Sequence, residues 1–318
     1  MKHMTNWIIL GVLFLTGCEM DSVSLVAPES LLVAEVFIAS DGDDALEATA
    51  YLHRVLGSKG YGPVSGAEIT LTTGDQSVTL IENSDSISTC IPQWVQRETS
   101  EIDGSLGTCY GLEDLPASFA VPGQAIQVSI KDGEVSELFG QTKLPGDFTM
   151  KTPRNGRDFC VLQEDQLLEM SWSKSQDAWA YIVEADVWDL ADVFNYLPED
   201  DRPPQPLFLL GLAISSDDTK MRFPSEVGLF DRYGLHRDVF LQLQAGLPES
   251  TTADISVAAL DRNFVNWARV GKFHPSGQIR TPSLAGKSGT GVIGSYVRKN
   301  FKVLADSTLQ GLISSCSS

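Results

Sequence analysis

The sequence predicts a mainly β protein, built as two β-sandwich domains with a few short helices. Three observations lead there. Apolar and polar residues alternate with a period of two through most of the chain, the signature of half-buried strands. Clusters of Gly, Asp and Asn interrupt that pattern at short intervals, as turns between short strands do. An apolar run at the N-terminus is too short and too early to belong to either domain, and it leaves about 300 of the 318 residues for the fold, a length that suggests two domains.

The N-terminal run comes first. Lys2 and His3 form a basic tip ahead of ten mostly apolar residues, 7–16. A membrane-spanning helix needs roughly 20 such residues, so this run covers about half the hydrocarbon at 1.5 Å per residue. Its length fits the apolar region of a signal peptide. It ends in Leu15-Thr16-Gly17-Cys18, which resembles the bacterial lipobox. The resemblance implies that residues 1–17 are removed as a lipoprotein signal peptide and that Cys18 is diacylated. Two or more acyl chains anchor a protein firmly where one does not. Glu19 follows. By its resemblance to the enterobacterial sorting rule, it directs the chain to the outer membrane, and Glu19 with Asp21 resembles the acidic export signal of surface lipoproteins. Residues 18–30 read as a flexible tether, with Pro28 discouraging regular structure.

A formal net charge of −19 argues against nucleic-acid binding, which needs clustered Lys and Arg. It also argues against lying flat on anionic lipid, so the acyl anchor makes the membrane contact. The acidity itself serves solubility. Of five cysteines, Cys18 is assigned to lipid, leaving Cys90, Cys109, Cys160 and Cys316. An even remainder in an exported chain reads as two disulfides, with three connectivities. Cys90 and Cys109 flank a polar, loop-like stretch and are placed to staple it. Cys160 and Cys316 would then join the start of the second half to its end. A metal site is disfavoured, because no CxxC or CxxH spacing occurs and the four histidines are scattered. No cofactor is expected.

The first domain is expected over residues 31–152. LLVAEVFIA (31–39) is β-rich and nearly continuous, as in a strand with little exposed face. A turn at Ser40-Asp41-Gly42-Asp43-Asp44 lets 46–54 return as its partner. Residues 64–71 alternate cleanly, then Gly74-Asp75 turns into 77–81. Residues 83–108 are polar and loop-like. Alternation resumes at 123–130, turns at Lys131-Asp132-Gly133, and ends in a strand near 137–144.

The second domain is expected over 153–318. Leu168, Met170 and Trp172 alternate inward, and so do Tyr181, Val183, Ala185 and Val187. This L-x-M-x-W and Y-x-V spacing resembles the B and C strands of a fibronectin type III domain. Asp189 is placed to cap a helix bearing Leu190, Val193, Phe194 and Leu197, stopped at Pro198. Residues 198–206, PEDDRPPQP, form an exposed proline-rich loop. Strands are expected at 207–214, 239–244 and 255–259. Asp261 caps a second helix bearing Phe264, Trp267 and Ala268, with Gly271 as its stop. A strand over 291–303 closes the domain.

Several segments together resemble a group of uncharacterised lipoproteins of Bacteroidota-type outer membranes that share a domain of unknown function. They are LLVAEVFIAS after the lipidated cysteine, PVSGAEITL (63–71), VPGQAIQVSIKDG (121–133) and TPS…SGTGVIGSY (281–296). PVSGAEITL is similar to the transthyretin-like carboxypeptidase regulatory fold. The resemblance implies an Ig-like, transthyretin-like first sandwich and an envelope protein that accompanies a TonB-dependent transporter. It carries over no catalytic residues. The insert over 83–108, with its two cysteines, departs from the pattern.

Candidate chemistry is sparse. Ala285-Gly286-Lys287-Ser288 lacks the first glycine of a phosphate loop, where Thr281 stands, and reads as a glycine-rich turn. Asp41-Gly42-Asp43-Asp44 fails as a calcium loop at Ala45 and Leu46. Neither GxSxG nor HExxH occurs, and His53, His236 and His274 have no local signature. The aromatics are better candidates for recognition. Trp172 and Trp267 fit core packing, Trp179 precedes Tyr181, and Trp188 lies in the register opposite Tyr181 and Val183. The sequence therefore points to a non-enzymatic, lipid-anchored binding or accessory subunit at the outer membrane, with an outer-membrane protein as partner. The alternatives are an envelope hydrolase acting on glycan or peptide, and a structural or adhesive surface lipoprotein. Two carboxylates about 5–10 Å apart in a cleft would mark the hydrolase.

Overall fold

A computed structural model of the chain describes residues 30–41, 46–55, 62–83, 90, 107–116, 118–119, 121, 123–133, 136–154, 159–228, 234–270, 281–309 and 312–316. The expected leader over 1–17, Cys18 and the expected tether up to residue 29, residues 42–45 of the expected turn, Gly271 and His274 lie outside them. Among the described residues no helix is long and apolar enough to cross a membrane.

The fold is mainly β. The strands of the first half are β1 (Leu31–Ser40), β2 (Leu46–Val55), β3 (Gly62–Pro63), β4 (Glu68–Thr73), β5 (Gln76–Thr79), β6 (Ile81–Asn83), β7 (Thr108–Leu115), β8 (Ala125–Asp132), β9 (Ser136–Lys143) and β10 (Met150–Thr152). Those of the second half are β11 (Phe159–Leu162), β12 (Leu168–Trp172), β13 (Ala180–Trp188), β14 (Leu207–Ala213), β15 (Lys220–Phe223), β16 (Thr251–Leu260), β17 (Leu284–Gly286) and β18 (Gly289–Ala305). Among the described residues three short helices join them: α1 (Leu190–Val193), α2 (Arg237–Ala245) and α3 (Arg262–Val270).

Hydrogen bonding runs in the order β5-β4-β8-β9-β17-β18-β1-β2-β7-β6. The two ends of that path, β5 and β6, are consecutive in sequence, and Leu80 between them donates its N–H to the carbonyl of Ile69. One chain segment thus edges both faces of the first sandwich, which leaves few unpaired strand edges. Inside it, Leu32, Ala34, Val36 and Ile38 of β1 meet Ile69, Leu71, Ile126, Val128 and Leu138. Alternation on β4 and β8 delivers these residues inward, as the period-two pattern requires.

The second sandwich packs β14-β13-β16-β18 and β11 against the three-stranded sheet β10-β12-β15. Trp172, Met170 and Phe223 from one layer meet Tyr181, Val183, Ile255 and Val303 from the other, all buried. The 17 residues of β18 serve both sandwiches. Its first half pairs with β1 in parallel, and its second half pairs with β16 antiparallel and with β11 in parallel.

Two disulfides form, Cys90–Cys109 and Cys160–Cys316. Loop closure over a separation of 156 residues stabilises by about 4–5 kcal/mol in the chain-entropy model. Beside the second bond Cys316 donates its backbone N–H to the carbonyl of Val161 at 2.9 Å, and Val161 donates its own to the carbonyl of Ser314 at 3.0 Å.

Two local expectations are corrected. Residues 237–245 form a helix, where 239–244 read as a strand. Val239 and Leu243 are its buried positions, four residues apart on one helical face, and His236 Nδ1 caps it by accepting from the Asp238 N–H at 3.2 Å. Near residue 190 the helix spans only Leu190–Val193. Asp189 adopts a left-handed conformation (φ 65°) without capping the helix, and its carboxylate instead accepts from Gln205 Nε2 at 3.4 Å.

Candidate functional site

The strand β1 is buried on both faces, which explains its nearly continuous apolar run. Its second face lies under α3, where Phe37, Tyr51 and Val292 pack with Phe264, Val265 and Trp267 and with the Cys90–Cys109 bridge. Phe37, Phe264 and Trp267 form a ring cluster, with centroids 4.9–5.5 Å apart. A Cβ at Gly294 would lie 3.0 Å from the Phe264 side chain, so glycine there admits the helix. Asp261 caps α3 as expected. Its Oδ1 accepts from the Phe264 N–H at 2.8 Å and the Ser295 N–H at 3.1 Å, and its Oδ2 accepts from Thr142 Oγ1 at 2.7 Å and the Asn263 N–H at 3.2 Å. Burial pushes this carboxyl up, and the four donors oppose that shift.

Beyond α3 the same face of the sheet continues as a concave trough of about 570 Å³. Cross-strand register arranges it as a grid. Phe208, Asp186, Asp254 and Lys302 form one row on β14, β13, β16 and β18. Leu210, Glu184, Ser256 and Asn300 form the next, and Leu212, Ile182, Ala258 and Arg298 the third. Taken by strand, β14 contributes an apolar column, β13 the acidic pair Asp186 and Glu184, β16 Asp254 and then a low floor of Ser256 and Ala258, and β18 a column of donors. Small side chains on the central strand open the hollow. Long ones on its neighbours wall it.

Trp188 stands just beyond one end, next to the lining residue Asp254. It is 38 % exposed, and its Nε1–H donates to Asp254 Oδ2 at 3.0 Å. Lys302 Nζ holds the other Asp254 oxygen at 3.1 Å. Arg298 is tied to Asp41, with Nη2 3.1 Å from Oδ2 and a second carboxylate, Glu47, at 3.9 Å. At the far end Tyr296 packs edge-on against Phe264, and burial raises its phenol to about 12.

A second notable group sits beneath α3. Glu35 is 2 % exposed. Its Oε1 accepts from Trp267 Nε1 at 3.1 Å, while Oε2 is buried with no hydrogen-bond partner among the described residues. Burial raises this carboxyl to about 7, against the opposing hydrogen bond from Trp267. On the adjacent strand, burial lowers His53 to about 4.

The residues singled out from sequence separate clearly. Trp188 lies at the trough, in the register opposite Tyr181 and Val183. Trp172 and Trp267 are buried, and Trp179 is exposed under the Arg262 guanidinium at 5.0 Å. His53 is buried and His236 is a helix cap, so the structure brings neither to the trough. Of Ala285-Gly286-Lys287-Ser288, the first two residues end β17 and Lys287-Ser288 forms the turn into β18. Sequence reasoning missed the acidic and donor columns. The signal available was polar residues at period two, at 184 and 186 and again at 298, 300 and 302. Among the described residues no group of three or more His, Cys, Asp or Glu side chains is placed to hold a metal ion.

No protein-family model matches the chain, and comparison with curated proteins finds no match. Among solved structures it is similar to the fibronectin(III)-like modules of Clostridium thermocellum CbhA, at 11% identity over 87% of this chain and 94% of that one, with a TM-score of 0.21. The sandwich class rests on this chain's own strand pairing.

Proposed function

We propose that the chain is a non-enzymatic, lipid-anchored protein of the outer membrane, acting as a binding or accessory subunit through the trough on β13, β16 and β18. The trough carries this reading. It is a preformed hollow with a few convergent polar groups and aromatic ends, the usual form of a binding site. The leader ending in Cys18 supports the anchor, and two disulfides suit an oxidising envelope compartment. Within this reading the chain belongs with the uncharacterised Bacteroidota-type outer-membrane lipoproteins and serves a TonB-dependent transporter.

The test is purification of the tagged protein in mild detergent, with identification of co-purifying outer-membrane proteins. Recovery of one transporter, reduced by Trp188→Ala, is expected. Recovery of the chain alone at every detergent strength would sink the accessory role. Radiolabelled palmitate should enter the wild type and not Cys18→Ala.

One observation favours a second reading, an envelope glycan hydrolase. Asp186 and Asp254 are direct cross-strand partners in the trough. Glycosidases flank the scissile bond with two carboxylates, whereas these two rise side by side from neighbouring strands and Asp254 is held by Trp188 and Lys302. Turnover of an oligosaccharide, abolished by Asp186→Asn, would establish the hydrolase.

A further inference from the structure

Resting on the reading of the trough as a binding site, we infer that its ligand is an uncharged oligosaccharide lying along β16. Both edges of β13 are hydrogen-bonded, to β14 and β16, and both edges of β16, to β13 and β18. No strand can be added there, so the peptide mode that uses backbone edges is closed. A ligand meets side chains only.

Those side chains pair opposite capacities. The acidic column of Glu184 and Asp186 accepts hydrogen bonds. The column of Arg298, Asn300 and Lys302 lies two strand spacings or about 9.5 Å away; Asn300 donates its amide, and Arg298 and Lys302, paired with Asp41 and Asp254, donate through their remaining N–H groups. The cations are already compensated, Lys302 by Asp254 on the floor and Arg298 by Asp41, which favours a ligand carrying no charge. Sugar hydroxyls both donate and accept, so one chain of them satisfies both walls. A phosphate-rich ligand would be repelled by the acidic column, and an apolar one would strip water from both walls without replacing its hydrogen bonds.

The aromatic positions fit the same class. Trp188 stands just beyond one end, its ring orientation set by the Nε1–H bond to Asp254 at 3.0 Å and by the Lys302 clamp on that carboxylate at 3.1 Å. The apolar C–H face of a sugar ring packs on such a surface while its hydroxyls reach the walls. From Asp186 to Ile182 the trough runs four residues of strand, about 13 Å, and Trp188 extends that line by two residues more, so it accepts several sugar units and not one.

The test uses the full lipidated chain in detergent, titrated calorimetrically with malto-, cello-, manno- and chito-hexaose and with hexagalacturonate. At least one neutral hexamer should bind more tightly than its dimer. Trp188→Ala and Lys302→Met should each weaken that binding by about tenfold, the scale of losing a charge-assisted or well-packed contact. Melting curves matching wild type confirm that these variants fold. Failure of every neutral hexamer at millimolar concentration, binding of hexagalacturonate alone, or binding unchanged in Trp188→Ala would overturn the inference. If no sugar binds while Trp188→Ala still reduces recovery of a transporter, the ligand class falls and the binding-subunit reading stands. If a neutral hexamer binds as described and no envelope protein co-purifies, the ligand class stands and the accessory role falls.

Discussion

Trp267 of α3 donates its indole N–H to Glu35 of β1 across 3.1 Å, joining residues 232 positions apart in sequence. The bond ties the helix that follows β16 of the second sandwich to the first strand of the first. It also leaves a buried carboxyl with one oxygen unpartnered among the described residues, a costly arrangement unless the group is neutral.

Glu35 therefore links stability to pH. Its carboxyl is raised from 4.5 to about 7 by burial, so the folded state holds a proton that the unfolded state releases. The stability it contributes is fully present below about pH 4.5, declines as pH rises towards 7, and is lost above that. At 1.36 kcal/mol per unit the loss is on the order of 3 kcal/mol. Glu35→Gln keeps an acceptor for Trp267 and removes the ionisation. Urea midpoints measured from pH 5 to 8.5 should converge at low pH and favour the variant above pH 7. Parallel curves would refute a neutral Glu35.

His53 works in the opposite direction. Burial lowers it from 6.5 to about 4, so the unfolded state binds the proton first. Its contribution is present above pH 6.5 and lost as pH falls through 4, again by on the order of 3 kcal/mol. Between about pH 4.5 and 6.5 the gain from Glu35 and the loss from His53 offset one another. The wild type should show a shallow pH profile in that window. Glu35→Gln should become steeply acid-sensitive, and His53→Phe should become more stable as pH falls. Equal slopes in all three proteins would show that these two groups do not govern the profile.

How far these features were legible differs from one to the next. LLVAEVFIAS announced a strand with little exposed face, and that implied a buried Glu35. Its partner Trp267 is fixed by tertiary packing, which no local pattern encodes. Trp188 was legible because a period of two places it opposite Tyr181 and Val183. The trough was not, since Asp186 meets Asp254 and Lys302 only through the register of three strands spread over more than a hundred residues. The helix at 237–245 was misread for a different reason. Val239, Leu241 and Leu243 alternate with Phe240 and Gln242, so a strand pattern and the i, i+4 helical pair coexist in one stretch.

The cap of α3 was legible from sequence, and its cost of removal is now calculable. Asp261→Ala would deprive the buried Phe264 and Ser295 N–H groups of their acceptor and leave Thr142 without its carboxylate. Losing a cap together with stranding buried donors should cost about 3 kcal/mol. Asp261→Asn retains one carbonyl acceptor and should cost less. Thermal unfolding followed by tryptophan fluorescence, which reports Trp267, reads both. A loss below about 0.5 kcal/mol in Asp261→Ala would mean that water or a shifted backbone replaces the carboxylate.

The parallel pairing of β1 with β18 rests on close backbone approach at Gly291. A Cβ there would overlap the carbonyl of Ala34, which belongs to the strand and has no side-chain freedom with which to yield. Gly291→Ala should therefore force the two strands apart at the centre of the shared sheet. Overpacking of this kind costs about 1–3 kcal/mol in a side-chain core, and a backbone neighbour places this case at or above the top of that range. Gly62→Ala is the matched control, because nothing lies within 4 Å of its added carbon. The expected result is a large fall in the unfolding midpoint for Gly291→Ala and a change within about 0.5 kcal/mol for Gly62→Ala. Similar midpoints in the two variants would show that β18 does not approach β1 in this register. Because β16 and β11 also hydrogen-bond to β18, loss of the β1 pairing should be felt in the second sandwich. Near-ultraviolet dichroism from Trp172, buried there, should change with the same midpoint as the signal from the first.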